Sequence, residues 1–131
     1  MLSVKPTRRV FGAPWARGVV FAALSTVAAG AWAEMPAYDF NGDAEAGKEV
    51  AYDRGKGNCL ACHLIPGGES PGAIGPALVA MQTRYPSKQD LAKQIWDATV
   101  KNPEAVMPPF GKHGILTDAE FVNVVEFIWS L

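Results

Sequence analysis

Cysteine and histidine are scarce in this chain of 131 residues, with two of each. A secreted scaffold stapled by several disulfides is thereby excluded. A bare zinc site would have to use Cys59, Cys62, His63 and His113 together, because zinc at a structural site takes about four ligands. Basic residues are scarce too, once the chain is divided. Residues 1–33 hold Lys5, Arg8, Arg9 and Arg17 and no acidic residue, so eight Lys and Arg remain in 34–131 against all 13 Asp and Glu, a formal charge of −5. Nucleic acid is excluded as a partner, since binding a phosphate backbone needs an excess of Lys and Arg. No strand-like alternation, internal repeat or low-complexity tract stands out, and the length allows one domain.

What is present begins with an export signal. The four basic residues precede a run of small and apolar residues from Gly18 to Gly30, and Ala31-Trp32-Ala33 supplies the small-x-small pattern of a cleavage point. The apolar run is shorter than the roughly 20 residues of a bilayer span. Residues 1–33 therefore read as a secretory signal peptide cut after about Ala33, with no membrane attachment afterwards. The expected location is the periplasm.

Residues 34–43 form an irregular lead-in that ends on the turn signal Asn41-Gly42. Asp43 is a good N-cap, and Ala46, Gly47, Val50 and Ala51 recur at helical spacing, which predicts a first helix over 44–54. From Leu64 to Pro86 there is little regular pattern, and glycines and prolines abound. Ser87 and Asp90 open a second helix, predicted to run to Asn102-Pro103. Thr117 and Glu120 form a capping box before Phe121, Val124, Val125 and Ile128, the clearest helical stripe of the chain. Residues 44–131 are thus expected to form one all-α domain of about three to five helices with long loops. A structureless stretch as long as 64–86 counts against a compact domain unless it wraps a large group that takes the place of a core.

Cys59-Leu60-Ala61-Cys62-His63 supplies that group. This is the C-x-x-C-H pattern: two thiols three positions apart add to the two vinyls of one porphyrin, and the next residue is held beneath the iron. A thioredoxin-type redox pair would sit near a βαβ pattern, which is missing. A plain disulfide here would close too small a loop to constrain the unfolded chain much. One covalently bound haem c is therefore expected, held by Cys59 and Cys62 and ligated by His63. The chain without haem is expected to be largely unfolded, because a small loop-rich domain buries a modest core. Haem attachment follows export of an unfolded chain. The general secretory route is therefore favoured over the twin-arginine route that Arg8-Arg9 would also suit.

The sixth iron position has four candidates. Met107 is favoured because Pro108-Pro109 follow it and stiffen the segment. His113, in a Gly-flanked loop, is its rival. Met81 reads as packing and Met35 as part of a loosely ordered end. His/Met ligation suits electron transfer, whereas an open site would suit a gas sensor. The stiff turn Ile74-Gly75-Pro76 follows the motif closely, and the Pro76 carbonyl is the candidate acceptor for the second ring N–H of His63. Gly47, with Phe127 or Ile128, is the candidate for a close crossing of the first and last helices, a contact that periodicity alone does not show. Trp96, Phe110 and Trp129 read as core before interface.

Taken together, Gly57 to His63, Ile74-Gly75-Pro76, Gln94-Ile95-Trp96-Asp97, Met107-Pro108-Pro109-Phe110-Gly111 and Ile115-Leu116-Thr117 resemble the SoxX family. These are monohaem cytochrome subunits of the sulfur-oxidation system, and the likeness spans about Ala44 to Leu131. The resemblance implies a class I cytochrome c fold with iron ligands at His63 and Met107. It also implies a SoxA haem subunit as permanent partner in an L-cysteine S-thiosulfotransferase, where the pair joins thiosulfate to a cysteine of a carrier protein. The bond-making site would lie on SoxA, so this chain would hold no catalytic residue. It would take electrons from SoxA and pass them to a small acceptor cytochrome. A free electron shuttle of the same fold, without a permanent partner, is the alternative.

Overall fold

The computed structural model describes residues 34–131. The expected signal peptide and its cleavage point lie outside the described residues. Four α-helices follow in order: α1 (Ala44–Tyr52), α2 (Met81–Arg84), α3 (Lys88–Trp96) and α4 (Asp118–Ser130). Two short 3₁₀ turns, Cys59–Ala61 and Ala98–Val100, complete the regular structure, and no strand occurs among the described residues. The domain is all-α, as expected.

Each of the three longer helices starts where its cap dictates. The Asp43 carboxylate accepts from the backbone N–H groups of Glu45 and Ala46 at 2.9 and 3.2 Å. Ser87 accepts from Asp90 N–H at 3.2 Å. Thr117 and Glu120 complete a reciprocal capping box on α4. Such caps satisfy N–H groups that the first helical turn leaves without partners.

The helix ends depart from expectation at two places. α3 stops at Trp96 rather than near Asn102, because the Asp97 carboxylate turns back to accept from Thr99 N–H at 3.0 Å and starts the 3₁₀ turn instead. A short polar side chain that bonds its own backbone competes with helix continuation in this way. α2 arises inside the stretch 64–86 that carried no pattern, since a single turn is too short to show periodicity. Met81 on it is 2% exposed and belongs to the core.

The core is built on α4, which buries Phe121, Val124, Val125, Phe127 and Ile128 against Ala51 of α1 and Leu91, Ala92 and Ile95 of α3. Each large apolar side chain so buried is worth about 1.5–3 kcal/mol relative to exposure. α1 meets α4 closely at Gly47, where a Cβ would fall 1.9 Å from the carbonyl oxygen of Asn123. The crossing therefore lies at Asn123–Val124, one turn earlier than the Phe127 or Ile128 expected. Phe127 instead packs its ring edge-on against Tyr52, with centroids 5.9 Å apart.

The lead-in 34–43 lacks regular structure but is docked. Tyr38 lies 5.1 Å from the Phe121 ring and donates its hydroxyl to Asp118 at 2.8 Å. Phe110 is buried, while Trp96 and Trp129 are partly buried against the same core.

Candidate haem site

The motif leaves α1 through Gly57, whose N–H donates to Val50 O at 3.1 Å. Asn58 adopts a left-handed conformation, φ 47°, and turns the chain into the 3₁₀ turn at Cys59. Cys62 and His63 both donate their backbone N–H to Cys59 O, at 3.2 and 2.9 Å. The three residues of the motif are thus held on one tight turn. Neither cysteine is in a disulfide. Burial pushes the Cys59 thiol up to about 11, the opposite of what a reactive thiolate of the redox C-x-x-C kind requires.

A second segment is laced along the motif. Gly72 N–H donates to Leu60 O at 2.7 Å, Gly75 N–H to Cys62 O at 2.8 Å and Leu78 N–H to Leu64 O at 2.8 Å. This lacing presses the backbone of Gly75 onto the imidazole of His63. A Cβ at residue 75 would stand 2.3 Å from Cε1 and 2.6 Å from Nδ1 of that ring, so no other residue fits there. The next residue places its carbonyl 2.7 Å from His63 Nδ1. A carbonyl only accepts, so Nδ1 carries the proton and the lone pair of the imidazole resides on Nε2.

Cys59, Cys62, His63, Pro76 and Met107 all line one cavity of about 520 Å³, within the usual range of about 300–1,000 Å³ for cofactor pockets. Most of its surface is apolar, contributed by Leu91, Ile95 and Phe110 among others. Met81 lines it as well. His113 does not; it is exposed, with its N–H bonded to Pro109 O at 3.0 Å. Met35 packs on the core and is likewise outside the cavity lining. Among the described residues no group of three or more His, Cys, Asp or Glu is placed to hold a bare metal ion.

The residues present fit a haem. The cavity is a large apolar cleft floored by core residues, its two thiols are free, and one imidazole is fixed in the tautomer that offers Nε2 to a metal. Polar groups also reach the lining: Gln94 and Asn102, and two that sequence reasoning did not single out, Arg84 and Tyr85. Arg84 is its single cation and is anchored by donating to Ala77 O at 2.7 Å. Its signal was its charge, in a domain short of basic residues. The fold and this site together define a c-type cytochrome domain.

The comparisons agree. The family model described as cytochrome c oxidase, cbb3-type, subunit III matches residues 42–128, and the chain belongs to that family of cytochrome c domains. It is also similar to a chain in the crystal structure of SoxXA from P. pantotrophus, at 27% identity and a TM-score of 0.61. That likeness covers 68% of this chain and 81% of the other. No curated protein matches the sequence. The SoxX-like monohaem cytochrome expected from the sequence thus has a solved counterpart in a SoxXA structure. No helix among the described residues is long and apolar enough to cross a membrane.

Proposed function

We propose that this protein is an exported monohaem c-type cytochrome that serves as the electron-transfer subunit of a SoxXA-type complex. Cys59 and Cys62 would hold the haem through thioether bonds, and His63 and Met107 would offer a nitrogen and a sulfur to its iron. When bound, haem supplies one-electron redox chemistry, at a potential that a His/Met pair raises. The chain's own residues do the rest. Pro76 O accepts a hydrogen bond from His63 Nδ1–H and holds the ring in place, the Gly75 backbone packs against that ring, and the apolar lining keeps water away. Arg84 is available to balance negative charge at the polar edge of the cavity.

The observation that carries the subunit reading is the 27% identity to a SoxXA chain over most of both chains. A second feature supports it. Ile74 and Val106, on two separate loops that line the cavity, are 73% and 79% exposed. Apolar side chains raised at the mouth of a redox site suit a lasting partner surface better than a brief encounter. On this reading the partner is a SoxA-type haem subunit in the periplasm. The complex is an L-cysteine S-thiosulfotransferase that joins thiosulfate to a carrier-protein cysteine, with the bond-making site on the partner and a small cytochrome as acceptor.

The test is co-purification from the native host grown on thiosulfate, with a tag placed after Leu131. Recovery of a second haem protein in equal amount, reducible by thiosulfate and carrier, is the expected result. The family match favours a second reading, an electron-transfer module of a terminal oxidase of the cbb3 type. Recovery of a haem–copper oxidase would establish that instead. A lone monohaem protein that thiosulfate does not reduce would mean a free shuttle.

A further inference from the structure

The methionine side of the cavity is held in an unusual way. Between Trp96, which ends α3, and Asp118, which opens α4, the chain makes one long excursion with Met107 near its middle. Val106 and Met107 donate no backbone hydrogen bond, and Pro108 and Pro109 cannot. The nearest ties of Met107 are Ala105 N–H to Asn102 O at 2.9 Å before it and the Pro109 carbonyl, which accepts from His113 N–H at 3.0 Å, after it. What closes the excursion is its base. Lys112 N–H donates to Trp96 O at 3.3 Å, and the backbone of Gly111 lies against the Trp96 ring. Lys112 Nζ then donates to the Asp97 carboxylate at 2.5 Å.

Asp97 is the one buried charged residue of the described core, 3% exposed. Its other oxygen takes Thr99 N–H at 3.0 Å and the Thr99 hydroxyl at 2.5 Å. A carboxylate so placed would be costly without a cation, and Lys112 is the cation that meets it. The ion pair thus joins a residue ten positions before Met107 to one five positions after it.

We propose that Asp97 and Lys112 are positioning residues for the sixth ligand, forming a clamp that sets how readily the Met107 sulfur leaves the iron. The inference rests on the reading of Met107 as that ligand. Neither residue lines the cavity, so both act through the loop they close. Loss of either partner leaves the base of the loop held only by the Lys112 N–H bond to Trp96 O and the Gly111 contact, which loosens the methionine, while the ladder that supports His63 is untouched.

The experiment uses the ferric holoprotein. The charge-transfer band of methionine sulfur to ferric iron is followed together with the rate of imidazole binding, in wild type, Asp97→Asn, Lys112→Met, Lys112→Arg and Met107→Ala. Guanidinium unfolding is measured on each by far-ultraviolet circular dichroism. Asp97→Asn and Lys112→Met are expected to bind imidazole about tenfold faster or more, the loss that goes with removing a charge-assisted hydrogen bond. Their band should bleach at a denaturant concentration well below their unfolding midpoint, and Lys112→Arg should restore wild-type behaviour. Unchanged exchange in the folded variants overturns the clamp. So does exchange that rises only in step with global instability, or Lys112→Arg behaving like Lys112→Met. A wild type without the band, matched by Met107→Ala, overturns the ligand reading itself.

Discussion

The two walls that carry the candidate iron ligands are built on different principles. On the histidine side, residues 72–78 are bonded backbone to backbone along residues 60–64, and the His63 ring is wedged between the Gly75 backbone and the Pro76 carbonyl. On the methionine side, a long loop is closed at its base by the Lys112–Asp97 ion pair and the Lys112 N–H bond to Trp96 O, with scattered turn bonds between and none donated by Met107 itself. Backbone lacing spreads support over many groups, each worth roughly 0.5–1.5 kcal/mol, so no single side chain undoes it. A clamp concentrates support on two side chains. If His63 and Met107 are the ligands, as proposed, the comparison sets a ligand on a laced wall against one held on a latch.

The largest effect should come from removing what both walls share. The double variant Cys59→Ala, Cys62→Ala is expected to lose covalent haem and most helical circular dichroism, because core residues Met81, Leu91, Ile95, Phe110 and Ile128 line the cavity of a small domain. Met107→Ala should keep both attached haem and helix content, losing the sulfur ligand alone. If the two variants behaved alike, the walls would not differ in the way described.

A smaller effect sharpens the contrast within the walls. Gly75→Ala drives a Cβ into the His63 ring and should destabilise the holoprotein by about 1–3 kcal/mol, the usual cost of forcing atoms into a packed site. Ala105→Gly, on the methionine loop, should cost less than about 1 kcal/mol, through chain entropy only. Chemical denaturation of the two variants measures both. Equal losses would mean that the methionine loop is as tightly built as the histidine side.

Acid should weaken the methionine side through its charges. The Lys112 ammonium and then the Thr99 hydroxyl hold the Asp97 carboxyl below the ordinary range. Outside the methionine loop, Lys56, which precedes the haem motif, followed by the Thr117 backbone and hydroxyl, holds Glu120 at about 2, so acid also weakens this pair on the other side of the domain. A carboxyl whose pKa is depressed on folding stabilises the fold above its unfolded pKa, and that contribution is lost as pH falls through the folded one. For Glu120 the window runs from about 4.5 down to about 2. The three backbone bonds beside His63 do not titrate. Acid titration of the ferric protein is therefore expected to bleach the sulfur band before the covalently held haem changes its other spectral features. The smallest effect belongs to a contact away from both walls. Tyr38→Phe removes the bond to Asp118 at a cost of about 0.5–1.5 kcal/mol, with no change in the haem spectrum.

Much of this was legible in the chain because its signals are local. The capping box at Thr117 and Glu120, the Ser87 cap and the five-residue motif are each complete within a few positions. The turn that brings Pro76 to His63 lies thirteen residues beyond it, short enough for proximity and stiffness to suggest the pairing. Non-local features were not legible. Asp97 fell inside a helix predicted to run to Asn102, and Lys112 carried no signal, since nothing in either neighbourhood announces a partner fifteen positions away. Helix α2 is one turn long and shows no period. The crossing of α1 and α4 was legible as a glycine but not as a register, because the place where Phe127 packs is decided by Tyr52.

The central claim is that His63 and Met107 hold one haem between a fixed wall and a latched one. Near-infrared magnetic circular dichroism of the ferric protein, purified with its haem attached, tests this most directly because it reads the axial pair. The account predicts a His/Met signature that is lost in Met107→Ala. A bis-histidine signature that vanishes in His113→Ala, or a high-spin spectrum in the wild type, would contradict it.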